Sequence, residues 1–146
     1  MNFARIALAA VVAWLVSIPV GYLANDVVLS GLLAANAAAL RPEAAMTARL
    51  PIGFAAQLLG FFVFAYMYAK GYEGEPGIIE GARFGVLVGL LVNCFGIVWN
   101  YVMMPISGSL EVGLMAEALI EPIVYGAVIG AIYTPLPKRT AERAAI

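Results

Sequence analysis

Glu117 and Glu121 stand four residues apart in an apolar stretch, a spacing that puts both on one face of a helix. Carboxylates set in apolar surroundings bind cations, relay protons, or keep a proton and act as hydrogen-bond donors. Three more polar residues interrupt apolar runs: Gln57, Asn93 and Asn100, the two asparagines seven residues apart and again sharing a face. Counting inward from the outer helix ends at 1.5 Å per residue places Asn100, Glu117 and Gln57 roughly 6 to 8 Å deep, Ser17 about 10 Å, Glu121 about 12 Å and Asn93 about 16 Å. These residues are expected to line one outward-facing polar cavity. Two carboxyls at such depth cannot both be charged and unpaired, so either they share a proton or Glu117 finds a cation. Arg49 is the nearest candidate, with a side chain long enough to reach inward. Pro122 cannot donate to the Ala118 carbonyl, and the acceptor it frees lies between the two glutamates.

Several chemistries are excluded by residue type. The chain has no histidine, which removes the usual haem ligand and the commonest zinc ligand. Its single cysteine, Cys94, has no partner for a disulfide or a paired redox relay and is expected to be a small buried hydrophobe. No nucleophile, metal triad or phosphate-binding glycine loop accompanies the carboxylates, so no enzyme, cofactor or metal is expected. A net charge of −1 offers no basic patch for nucleic acid.

The elements that must hold the glutamates follow from composition. Of 146 residues, 64% are hydrophobic and 12% charged, a balance that needs lipid as its solvent. Four apolar runs are long enough to cross a bilayer, at about 6–24, 52–69, 82–104 and 113–133. They predict an all-α, single-domain integral membrane four-helix bundle. The first run is read as a span, since a cleavable leader would need its small residues closer than Ala35-Asn36-Ala37. The segment from Asn25 to Leu50, broken by Gly31, Asn36 and Pro42, is expected to form one or two short interfacial helices. A fifth short crossing over Val27 to Leu40 would destroy the charge asymmetry. With four spans, Arg5, Lys70, Arg83, Lys138, Arg139 and Arg143 share one side and only Arg41 and Arg49 the other, which puts both termini in the cytoplasm of a bacterial inner membrane. Tyr66, Tyr68 and Tyr72 read as an interfacial aromatic belt, and Glu80 is placed to pair with Arg83 one turn on. Glu73 and Glu75 are expected to be solvated.

Gly81, Gly85 and Gly89 recur every four residues, and Gly126 and Gly130 repeat the spacing. Such stripes let helix backbones meet closely in lipid, against either another span or a second subunit. The stretch from Tyr68 to Leu91, with Lys70-Gly71-Tyr72-Glu73-Gly74, Pro76-Gly77, Glu80-Gly81 and Arg83-Phe84-Gly85, resembles segments of small uncharacterised bacterial four-span membrane proteins. That resemblance implies a four-span fold and no activity. Two functions are compatible with these residues. One is an accessory or scaffold subunit that associates through its glycine stripes into a homo-oligomer or larger membrane complex. The other is a small transporter or a protein that binds a polar ligand or protons through Glu117 and Glu121.

Overall fold

The computed structural model describes residues 1–134, and all its elements there are helical. The expected breaks at Pro135 and Pro137 and the basic residues Lys138, Arg139 and Arg143 lie outside the described residues. Four helices are long and apolar enough to cross a membrane: Phe3–Val28, Leu50–Gly71, Gly77–Met103 and Gly108–Tyr133, taken below as the first to fourth spans. Between the first two come only short turns of helix, Ser30–Ala35, Ala37–Ala39 and Glu43–Thr47. The longest has six residues, about 9 Å of helix, so the fifth crossing over Val27 to Leu40 does not exist.

Caps, rather than the onset of apolar sequence, decide where the spans begin. Asn2 accepts the Arg5 amide through its side chain and starts the first span at Phe3. Pro51 sits in the first turn of the second span, where a missing amide hydrogen costs nothing. The third span starts at Gly77 behind Pro76, five residues before the expected Ala82. The fourth starts at Gly108, capped by Ser107, whose hydroxyl accepts the Leu110 amide at 3.3 Å.

The fourth span is the centre of the bundle, with the third packed along one side and the first along another. The second lies on the first and joins the fourth only near one end. Gly77, Gly81, Gly85 and Gly89 are all buried, and together they run against the fourth span. A Cβ on Gly81 would overlap the Gly126 carbonyl, one on Gly77 the Gly130 carbonyl, and one on Gly85 the Pro122 carbonyl. The two glycine stripes thus face each other inside one chain, backbone on backbone, and gain dispersion contacts that side chains would block.

The loop end of the bundle is closed by aromatic rings. Tyr68 is 1% exposed and stacks within about 6 Å of Tyr72, Phe84 and Tyr133. This corrects the expected lipid-facing belt: only Tyr66 is exposed, beneath the Lys70 ammonium, because Tyr68 falls on the face that carries Phe61, Phe64 and Ala65. Arg5 donates to the Tyr133 carbonyl at 3.2 Å, tying the start of the first span to the end of the fourth. In the adjoining loop Gly74 takes a φ of 94°, open to glycine at little cost, and Glu80 accepts the amides of Glu73 and Glu75. Glu80 is therefore used up on the loop backbone, and Arg83 pairs instead with Glu75 at 2.6 Å.

The opposite half of the second span leaves the bundle. From Pro51 to Gly60 only Leu58 is even half-buried, and the main tether is Trp14, whose indole donates to the Phe54 carbonyl at 3.2 Å. Cys94, expected to be buried, is exposed on the outer flank of the third span.

Candidate functional site

The first and fourth spans run antiparallel in a register that advances four residues at a time. Gly21 faces Glu121, Asn25 faces Glu117 and Leu29 faces Gly113. At the first rung a Cβ on Gly21 would sit 3.8 Å from Glu121 Oε1, an ordinary contact. On the second, Asn25 Nδ2 donates to Glu117 Oε1 at 2.6 Å and to the Gly21 carbonyl at 3.1 Å. Asn25 reaches this far because the first span does not stop near Ala24 but continues as a π-helical turn, Leu23–Val28. Inserted π turns shift side chains off the α-helical stripe and recur at functional sites.

On the other side the third span bears a second π turn, Asn93–Ile97, immediately beyond the last rung of the glycine stripe. Gly89 is that rung, its Cβ position 3.0 Å from the carbonyl of Ala118 that Pro122 leaves without an amide partner. Asn93 is buried and donates to the Gly89 carbonyl at 2.9 Å and the Met115 carbonyl at 3.2 Å. Past it Gly96 is exposed, with nothing within 4 Å. On the flank between the third and fourth spans lies a cleft of about 290 Å³, walled by Val92, Ile97, Leu114, Ala118 and Pro122 and bearing Glu117 and Glu121.

The glutamates differ in their company. Glu117 is held by Asn25, whereas Glu121 Oε1 is buried without a hydrogen-bond partner. Beside it lies Tyr125, one turn on and 5% exposed, whose buried hydroxyl also lacks a well-formed hydrogen bond and lies within reach of Glu121 itself. Buried polar atoms are nearly always paired, and this carboxyl and hydroxyl are completed either by closing on each other or by a ligand or water at the cleft. The chemistry available is that of acceptors and a hydroxyl: binding a cation or passing a proton. Among the described residues no group of three or more acidic or cysteine side chains could hold a metal ion.

The remaining sequence candidates go elsewhere. Gln57 is exposed on the diverging half of the second span, and Arg49, also exposed, spends its guanidinium on the Ala45 carbonyl at 2.7 Å. Asn100 is half-buried and makes no side-chain hydrogen bond among the described residues, and Ser17 donates to the Trp14 carbonyl at 2.7 Å. Of the expected cavity, Glu117 and Glu121 share the cleft, Asn93 packs against the fourth span at Met115 without lining it, and Gln57, Asn100 and Arg49 lie elsewhere. The depth count also changes. Glu117 is nine residues inside Gly108 and Glu121 thirteen, about 14 and 20 Å along a 26-residue helix, so both lie in its middle.

Asn25 and Tyr125 were missed by reading the sequence. Asn25 was placed in the connecting segment, yet its signal was present, an amide one turn beyond Gly21 and within helical reach of the span. Glu111 was missed too. It is 6% exposed, neither carboxyl oxygen has a partner, and it lies one turn past Ser107, which is clamped to Asn36 by two side-chain hydrogen bonds.

Fold and site together define a class: a multi-pass, all-helical membrane protein with a carboxylate-bearing cleft at mid-span. Compared with known families, curated proteins and solved structures, the chain matches none.

Proposed function

We propose that this chain is a small multi-pass membrane protein that binds a cationic solute or protons at Glu117 and Glu121. The observation that carries this is that two carboxyls, Glu117 and Glu121, stand on the wall of an otherwise apolar cleft, and that Glu121 Oε1 is buried without a well-formed hydrogen bond. Carboxylates at helix mid-depth cost stability unless something offsets them, and in membranes they mark ion and substrate paths. The accessory-subunit reading relied on the glycine stripes as contact surfaces, and those stripes are spent on each other within the chain.

We place the protein in a bacterial inner membrane with both termini in the cytoplasm, on the six-to-two division of Lys and Arg. The short helices between Ser30 and Thr47 then lie at the outer interface. Cysteine labels near Met46 and near Gly74, introduced in a Cys94→Ser background, should react from opposite sides of the membrane; labelling from one side overturns this topology.

In liposomes loaded with a pH-sensitive dye, the protein is expected to support a pH-dependent flux of protons or a cationic solute. The double variant Glu117→Gln/Glu121→Gln should lose it while keeping helicity and elution volume, since glutamine retains hydrogen bonding but cannot titrate. Unchanged flux in that variant removes the glutamates from the function.

A further inference from the structure

Granting the cation-binding reading of the glutamate cleft, we infer that its ligand is an amphipathic organic monocation, an ammonium head on an apolar body, which enters from the lipid through the flank of the bundle.

Three observations specify this. The first is charge. Glu117 and Glu121 are the only ionisable side chains on the cleft walls, and the cations among the described residues sit at the helix ends or in loops, with Arg5 on Tyr133, Arg49 on Ala45 and Arg83 on Glu75. The positive charge must come with the ligand.

The second is the shape and polarity of what remains. About 290 Å³ is on the order of ten times the roughly 30 Å³ that one water occupies in the liquid. A proton or bare inorganic cation on Glu121 would make no use of the Val92, Ile97, Leu114 and Pro122 side chains that form the walls. An apolar body fills the space against them.

The third is access. Below Gly89 the third and fourth spans close backbone on backbone, and toward the first span Asn25 and Leu29 cover Glu117 and Gly113. Val92, by contrast, is 41% exposed on the rim, at the π turn, in the middle third of a 27-residue span. That rim faces the acyl chains, so an amphipathic cation partitioned at the membrane surface reaches the glutamates by moving inward along the flank, apolar body first.

The test uses the full chain in nanodiscs of zwitterionic lipid and three probes: benzyltrimethylammonium, tetramethylammonium, and neopentylbenzene as the uncharged shape mimic of the first. Equilibrium dialysis should show saturable binding of benzyltrimethylammonium at least tenfold tighter than tetramethylammonium, and none of neopentylbenzene. Glu121→Gln should weaken the first probe at least tenfold. Val92→Trp, which fills the rim from a side that faces lipid, should reduce binding of the larger cation while leaving tetramethylammonium unchanged; helicity and elution volume confirm that both variants fold. Equal affinity for the two cations, or indifference to Val92→Trp, overturns the inference and leaves the cation site standing. If no cation binds saturably and the double glutamine variant behaves as wild type, the site reading falls with it.

Discussion

The third and fourth spans meet in two ways along one interface. On one face, from Gly77 to Gly89, they are sealed, carbonyl against Cα; on the adjoining flank, from the level of Pro122 to that of Leu114, they are open enough to hold a cleft. The four-residue advance runs as far as Asn93 and is broken there by the π turn. What differs is the occupant of each step: glycine at 77, 81, 85 and 89, then asparagine at 93 followed by a π turn. A helix pair can therefore be zipped along one face and still carry a cleft on its flank. The sealed half supplies rigidity and the open half spends some of it, holding two carboxyl groups on otherwise apolar walls.

Breaking the sealed half should produce the largest effect. Gly81→Leu has no room, since even a Cβ meets the Gly126 backbone; it should abolish the native fold, read as loss of the cooperative thermal transition in detergent. Survival of that variant with normal stability would mean the helices are not packed as described. Next comes the aromatic plug that ends the same half: Tyr68→Ala removes a ring 1% exposed and should cost about 3–5 kcal/mol in denaturant unfolding. The open half should respond in the opposite sense. Glu121→Leu replaces an unpartnered acceptor by an apolar group and should raise stability by about 1–2 kcal/mol while removing cation binding. A destabilised Glu121→Leu would show that the carboxyl has a structural partner after all. The smallest change belongs to Gly96→Ala, on the exposed face of the third span. With nothing within 4 Å, it should stay within about 0.5 kcal/mol of wild type.

Much of the fold was legible from the apolar runs, because a crossing helix announces itself by length and composition. Helix starts were less so. Ser107 and the Pro76-Gly77 step begin the last two spans five residues early, in sequence too polar to register as membrane, and that offset displaced the depth estimate for both glutamates. The glycine stripes were visible as a spacing, but which surface they meet is a property of the pairing of two distant segments, and Gly81 carries no mark that names Gly126. Glu117 and Glu121 stood out by charge. Gln57 and Arg49 were enlisted with them on the assumption that four helices of similar length surround a common centre; instead the second span leans away, held by Trp14 at Phe54. Asn25 was hidden for the converse reason, since polar sequence at a span exit reads as loop and only the π turn carries it to Glu117.

The register between the first and fourth spans gives the molecule a mechanical grain. Its rungs, Gly21 with Glu121, Asn25 with Glu117 and Leu29 with Gly113, are spaced alike on both helices. A slide of one turn, about 5.4 Å, would bring Asn25 opposite Glu121 and set the bulk of Leu29 against Glu117. Asn25 would then pass from one carboxyl to the other, so it is the register of the two helices that decides which glutamate is held and which is left free.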